Sequence, residues 1–233
     1  MQEGAHQMMG YDRASTMFSP DGRLLQVEYA KEAVKQGSTA IGIVCKDGVV
    51  LIADKRVVDK LVVAGSVEKI FQVDHHIAGT AVGYVMDGRV LIEKAQLLSQ
   101  QHKITYGVPI ETIGLVKEIC DIKQNYTQYG GARPFGVSLL FVGQDDGKAA
   151  LFVTEPTGIF FEYKATAVGE SSELAKEILR KEYNENLTTE DGVKLAVKAL
   201  RKVLGKEFDL KRIDGAIIKD TKYQRLDRKQ IKW

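Results

Sequence analysis

The stretch GSTAIGIVCKDGVVLIAD, residues 37–54, decides the fold. Two apolar runs, Thr39–Val44 and Val49–Asp54, flank Lys46-Asp47-Gly48. Asp-Gly between two such runs is a hairpin signal, since both residues tolerate the positive φ of a tight turn. The pair is therefore expected to be antiparallel. The same pattern returns at Val137–Val142 and Ala149–Val153, joined through Asp145-Asp146-Gly147. Lys69–Val73, His76–Val82, Ile159–Tyr163, Ala165–Val168, Ile213–Lys219 and Lys222–Leu226 read as further strands.

Between these blocks the apolar period changes from two to about 3.6. Helices are predicted over roughly 85–103 and 109–128, with Pro109 suited to the first turn of the second. Another pair is predicted over roughly 172–184 and 189–205, where Thr188 with Asp191 forms a capping box with Asp in place of Glu. Ahead of the first strand, Ser19-Pro20-Asp21-Gly22 is a turn. A helix carrying Leu24, Val27, Ala30 and Val34 on one stripe follows it, at about 21–35. The order is helix, strands, two helices, strands, two helices, strands. Hairpins dominate and βαβ alternation is missing, so the fold class is α+β, a layered sandwich of antiparallel sheets with paired helices.

Composition narrows the function. The chain has 233 residues, 44% of them apolar, enough for a core without disulfides. Its net charge of +2 argues against bulk electrostatic attraction to nucleic acid or membrane. The first ten residues lack the basic and apolar regions of a secretory signal, and no run of eighteen apolar residues occurs, so a cytoplasmic protein is expected. Cys45 and Cys120 read as buried thiols.

Most motif-like features have plain explanations. Gly143-Gln-Asp-Asp-Gly147-Lys148 has three residues between its glycines and no following Ser or Thr, so it is a turn and not a phosphate loop. His6, His75, His76 and His102 lack metal-ligand spacing, and adjacent His75 and His76 on a strand would face opposite sides, so no metal is expected. Ser38 and Thr39 open a strand behind Gly37. A hydroxyl there can be a nucleophile if cleavage frees an adjacent amine as its base, with Asp54 and Lys69 downstream as charged partners. The plainer reading, favoured by how common hydroxyl residues are at element boundaries, is that Gly37 is a helix cap and Ser38 simply a strand start. Lys69 is a solvated charge or a cation that captures a carboxylate. The grouping of Tyr11, Asp12 and Arg13 before the Pro20 turn, with Tyr29 and Tyr129, suggests a segment ordered by contacts.

Residues 10–43, GYDRASTMFSPDGRLLQVEYAKEAVKQGSTAIGI, resemble the N-terminal signature of proteasome α-type subunits, the archaeal ones in particular. The likeness continues through Ala53-Asp54-Lys55-Arg56, Glu68-Lys69-Ile70, residues 127–143 (TQYGGARPFGVSLLFVG) and residues 162–169 (EYKATAVG). It implies a four-layer α-β-β-α sandwich, two antiparallel sheets between helix layers. It also implies a noncatalytic subunit of a threonine-type endopeptidase complex: Ser38 stands at the relatives' nucleophile position behind a retained extension, with Asp54, Lys69 and Glu190 near positions functional in β subunits. Residues 1–36 would be a gate segment and interface helix, and 37–233 a single sandwich domain. The implied partners are a homo-heptameric α ring, proteasome β subunits, unfolded substrates in transit and an AAA ATPase activator that docks its C-terminal tail. No cofactor is implied. Tyr11, Asp12, Arg13, Pro20 and Tyr29 match the gate cluster, and Lys69, Gly37, Gly83 and Tyr84 the tail pocket. Three departures stand out: Gly88 where alanine is usual, Tyr84 where an aliphatic or smaller residue is usual, and Ser15 where isoleucine is common.

Overall fold

A strand that carries apolar residues on both faces needs a packed layer on each side. Strands β1 (Ala40–Cys45) and β2 (Gly48–Asp54) are of this kind, and every residue of β2 is buried. They pair antiparallel, Ala40 opposite Ala53 through to Cys45 opposite Gly48. Alternate side chains diverge: Ile41, Ile43, Cys45, Val50 and Ile52 enter one core, while Ala40, Val49, Leu51 and Ala53 enter another. Fully burying one such aliphatic side chain contributes about 1.5–3 kcal/mol. A surface ion pair contributes roughly 0–1 kcal/mol, so burial of this hairpin outweighs the surface charges in setting the architecture.

The computed structural model describes residues 10, 11, 13–56, 59, 61–63, 65–227, 230 and 231. The remaining strands are β3 (Ile70–Asp74), β4 (Ile77–Gly83), β5 (Val137–Asp145), β6 (Lys148–Thr154), β7 (Phe160–Glu162), β8 (Ala165–Val168), β9 (Ile213–Lys219) and β10 (Lys222–Arg225). One sheet runs β10-β9-β2-β1-β8 and the other β3-β4-β5-β6-β7, antiparallel throughout. Leu140, Val142, Leu151 and Val153 of the second sheet meet Val49, Leu51 and Ile218 of the first in the central core. Helices α4 (Ser172–Glu182) and α5 (Thr189–Leu204) cover the first sheet, and α2 (Val85–Tyr106) and α3 (Thr112–Asn125) the second. The result is the four-layer α-β-β-α sandwich. Helix α1 (Leu25–Lys35) packs on β4 and β5, and its Val34 reaches the central core. Cys45 and Cys120 are free and buried, and burial pushes their thiols up to about 12 and about 11.

Several sequence-based boundaries need correction. The first helix begins at Leu25, not 21, because the backbone first closes a turn: Gly22 N–H donates to the Ser19 carbonyl at 2.8 Å, and Phe18 bridges Leu24. Pro109 lies outside α3, whose N-cap is Glu111. Helix α2 runs on to Tyr106, and α3 stops at Asn125. His75 and His76 are not on a strand; they form the turn between β3 and β4, and their ring centroids lie 4.6 Å apart. The Thr188 cap is present, its hydroxyl accepting from Asp191 N–H at 3.2 Å.

One core residue escapes a simple polarity reading. Lys123 lies on the buried stripe of α3 and is fully buried. Its ammonium donates to the Val137 carbonyl and to Thr154 Oγ1, both at 2.9 Å. Burial lowers its pKa from 10.5 to about 7, against weaker upward pulls from Cys120 and Glu155. Between those two values the unfolded chain binds more protons, so this residue makes stability rise with pH from about 7 to about 10.5. Lys123→Met should remove that contribution. In urea titrations between pH 6.5 and 10, the midpoint of the parent should climb relative to the variant; parallel curves would refute it.

Candidate functional site

The ends of the inner strands create two rims. On one of them the start of β1, the end of β2, the start of β3 and the end of β4 converge, and three glycines pack backbone on backbone. A Cβ on Gly37 would lie 2.3 Å from Gly83 N, and one on Gly83 would lie 2.3 Å from the Gly136 carbonyl oxygen. Gly83 also has φ +124, a region L side chains rarely occupy. Glu170 N–H donates to the Gly37 carbonyl at 2.8 Å, fixing the segment between α1 and β1.

Tyr84 follows Gly83 and is exposed at the start of α2. The Arg133 guanidinium sits 5.3 Å from its ring centroid and forks onto Asp87 at 2.6 and 2.8 Å. Asp87 also accepts from Gly136 N–H at 2.9 Å. Burial works to raise the Asp87 pKa, but the Arg133 and Gly136 hydrogen bonds and the Arg133 charge hold it below its ordinary value. Gly88 has a packing reason: a Cβ there would stand 2.5 Å from that of Ala81 on β4.

Lys69 is half-buried beside this rim. Its N–H donates to Asp214 Oδ2 at 3.0 Å, and its carbonyl accepts from Thr80 Oγ1 at 2.7 Å. The backbone is thus pinned, while the ammonium makes no hydrogen bond or ion pair among the described residues. Burial lowers its pKa to about 8; Asp54 pulls it up and Arg56 pushes it down. Asp54 is already engaged. It is buried and accepts from Arg212 Nε at 3.0 Å, Arg212 Nη2 at 2.8 Å and Arg56 N–H at 2.9 Å. Arg56 in turn donates to the Gln36 carbonyl at 3.0 Å and pairs closely with Glu170.

The nucleophile reading fares worse. Ser38 is buried, and its hydroxyl makes no hydrogen bond among the described residues. Thr39 Oγ1 donates to the Glu170 carbonyl at 2.6 Å. Glu190 is in the first turn of α5, where Thr189 N–H meets Asp47 at 2.8 Å at the β1–β2 turn. That is the opposite rim, about 20 Å away along a six-residue strand, so Glu190 does not join Ser38.

Of the remaining sequence-chosen residues, Tyr11 is half-buried, Tyr29 is 40% exposed on α1, and Pro20 is exposed within the Ser19–Arg23 turn. Arg13, Ser15 and Thr16 share an open cleft of about 590 Å³ with the Gly130–Arg133 loop. Asp12 and residues 1–9 lie outside the described residues. Sequence reasoning missed Asp87, Arg133, Arg212 and Glu170, which pair across long separations. The signal available was a lone arginine, Arg133, between a glycine-rich turn and Pro134-Phe135.

The family described as "Proteasome subunit" matches residues 34–218, and the N-terminal signature of the A-type proteasome subunits matches residues 11–33. Similar proteins, named as alpha subunits of the proteasome, occur in Methanococcus maripaludis strain C7, at 54% identity over 91% of this chain and 82% of the relative. Others are found in Methanocaldococcus jannaschii, at 51% over 95% and 85%, and in Methanopyrus kandleri, at 48% over 95% and 90%. The two family matches meet at the end of α1 and run through both sheets: the chain belongs to the proteasome subunit family and carries its α-type signature.

Proposed function

We propose that this chain is a noncatalytic α-ring subunit of a 20S proteasome core, which admits unfolded protein to a proteolytic chamber made by β subunits. Residues 1–36 act as gate segment and interface helix ahead of a sandwich domain at 37–233. Tyr11, Asp12, Arg13, Pro20 and Tyr29 hold the gate between neighbours in a homo-heptameric ring. Lys69, with Gly37, Gly83 and Tyr84, receives the C-terminal tail of an AAA ATPase. The complex works in the cytoplasm.

The observation that carries the docking role is the Lys69 ammonium. It is half-buried and without a hydrogen-bonded carboxylate, while the nearby Asp54 is taken by Arg212. A terminal carboxylate from another chain supplies the missing counter-charge. The glycine contacts beside it leave backbone close to the surface, and Tyr84, steadied by Arg133, forms an aromatic wall. No opposing observation favours self-processing at Ser38, whose hydroxyl has no base within hydrogen-bond reach among the described residues.

The assembly reading predicts particles of ring size by light scattering and no peptide hydrolysis by the purified chain alone. A monomer, or a chain whose intact mass begins at Ser38, would overturn it. Lys69→Ala should abolish ATPase-stimulated degradation by the assembled core and leave ring formation intact. The sign of the pH effect follows from the lowered pKa of about 8: above it the ammonium is lost. Affinity for a tail peptide should fall by up to about tenfold per pH unit above 8, and Lys69→Arg should flatten that fall. Deleting residues 2–12 should raise basal peptide hydrolysis in the assembled core; an unchanged rate would remove the gate assignment.

A further inference from the structure

The rim opposite Lys69 carries three donor groups that no role above uses. Asp74 ends β3, and His75 and His76 make the turn into β4. The β3–β4 register shifts between Gln72 and Asp74, so the turn does not alternate faces as a strand does. The two imidazoles lie 4.6 Å apart, and one ligand atom from each of Asp74, His75 and His76 falls within 4.8 Å of the others.

The protons on His76 can be placed. Its Nε2 is 2.9 Å from the Ile110 carbonyl oxygen, which only accepts, so Nε2 carries the hydrogen. In the neutral ring Nδ1 then holds a bare lone pair. This atom is buried and has no hydrogen-bond partner. The nearest carboxylate oxygen is Asp74 Oδ2 at 4.0 Å, also an acceptor. With the ring neutral, that lone pair faces a carboxylate oxygen and no proton lies between them. An orphaned buried lone pair such as that of His76 Nδ1 is costly, and a cation relieves it.

We infer that Asp74, His75 and His76 form a binding site for a divalent transition-metal ion of zinc-like preference. Two imidazoles and a carboxylate are the donor set such an ion takes when it keeps a fourth position for water. Zinc bonded to both His76 Nδ1 and Asp74 Oδ2 at about 2.0–2.2 Å in a tetrahedron needs them roughly 3.4 Å apart, a closure of about half an ångström. The supporting shell is already present. His76 Nε2–H is held by the Ile110 carbonyl, with Asp145 Oδ1 at 3.7 Å, and Asp74 Oδ2 accepts from Ser99 Oγ at 2.7 Å. His75 is half exposed, and its backbone is anchored at both ends, by Asp74 at 2.6 Å and by Tyr223 N–H at 2.7 Å. Its Nδ1 now meets Asp74 Oδ1 at 2.8 Å; to bind metal it exchanges that contact for the ion. The open position lies on the exposed His75 side. A bound ion would clip the β3–β4 turn to α2 through Ser99 and to the start of α3 through Ile110.

The test uses the full chain in its assembled form, free of any affinity tag. Zinc is titrated by calorimetry and cobalt(II) by its visible absorption. One ion per chain is expected, with the intense cobalt bands of a four-coordinate site. His75→Ala, at an exposed position, should weaken binding at least tenfold, and Ser99→Ala should weaken it by about 10–100-fold. His102→Ala, an imidazole bound to Val108 elsewhere, should leave it unchanged. Absence of stoichiometric binding would overturn the assignment, as would His75→Ala binding like the parent. Nitrogen NMR offers an independent check: a proton found on His76 Nδ1 in zinc-treated protein also rules the site out.

Discussion

Everything in this molecule depends on the burial of both faces of the inner strands of both sheets. Antiparallel sheets commonly keep one face in water, but here a helix pair covers each outer face and the sheets cover one another. Few charges can then leave from mid-strand, and the charged chemistry collects at strand ends. Three of the four buried carboxylates among the described residues lie at or shortly beyond strand ends and meet an arginine. Asp54 ends β2 and is forked by Arg212; Asp87 stands just inside α2 and is forked by Arg133; Asp214 near the start of β9 is met by Arg225. Each pairs a buried carboxylate with the planar, multi-donor guanidinium of an arginine, which satisfies its oxygens where water cannot reach. Lysine cannot follow so easily. Lys123 gives up charge near neutrality, and Lys69 keeps an ammonium that its own chain leaves without a close anion.

Much of this architecture is readable in the residues. Asp-Gly turns, apolar runs and paired helical stripes identify the sandwich, and β8, β9 and the Thr188 cap fall where the pattern puts them. What the pattern cannot supply is anything dependent on pairing at a distance. The late start of α1 reflects a Phe18–Leu24 bridge, which local propensity does not encode. Lys123 occupies a helical core position because acceptors on β5 and β6 wait for it, residues 14 and 31 places further along. Strand alternation would send His75 and His76 to opposite faces, whereas both fall in the turn and their ring centroids lie 4.6 Å apart.

The candidate docking site is legible in part for the same reason. Lys69, Gly37, Gly83 and Tyr84 come from the family resemblance, and each stands at a strand end or next to one. Their supports, Arg133, Arg212, Glu170 and Gly136, come from separate loops that only the closed sandwich brings to one rim. Ordinary lysine chemistry gives no hint that Lys69 would be short of a partner. That emerges only once Asp54 is seen to be engaged by Arg212.

The stacked contacts of Gly37, Gly83 and Gly136 have a mechanical consequence. Side chains absorb displacement by changing rotamer, and a joint made of backbone alone has no such compliance. The segment after helix α1, the end of β4 and the approach to β5 touch there backbone on backbone. A shift imposed on one of the three presses directly on the others, and Tyr84 is one residue beyond the joint.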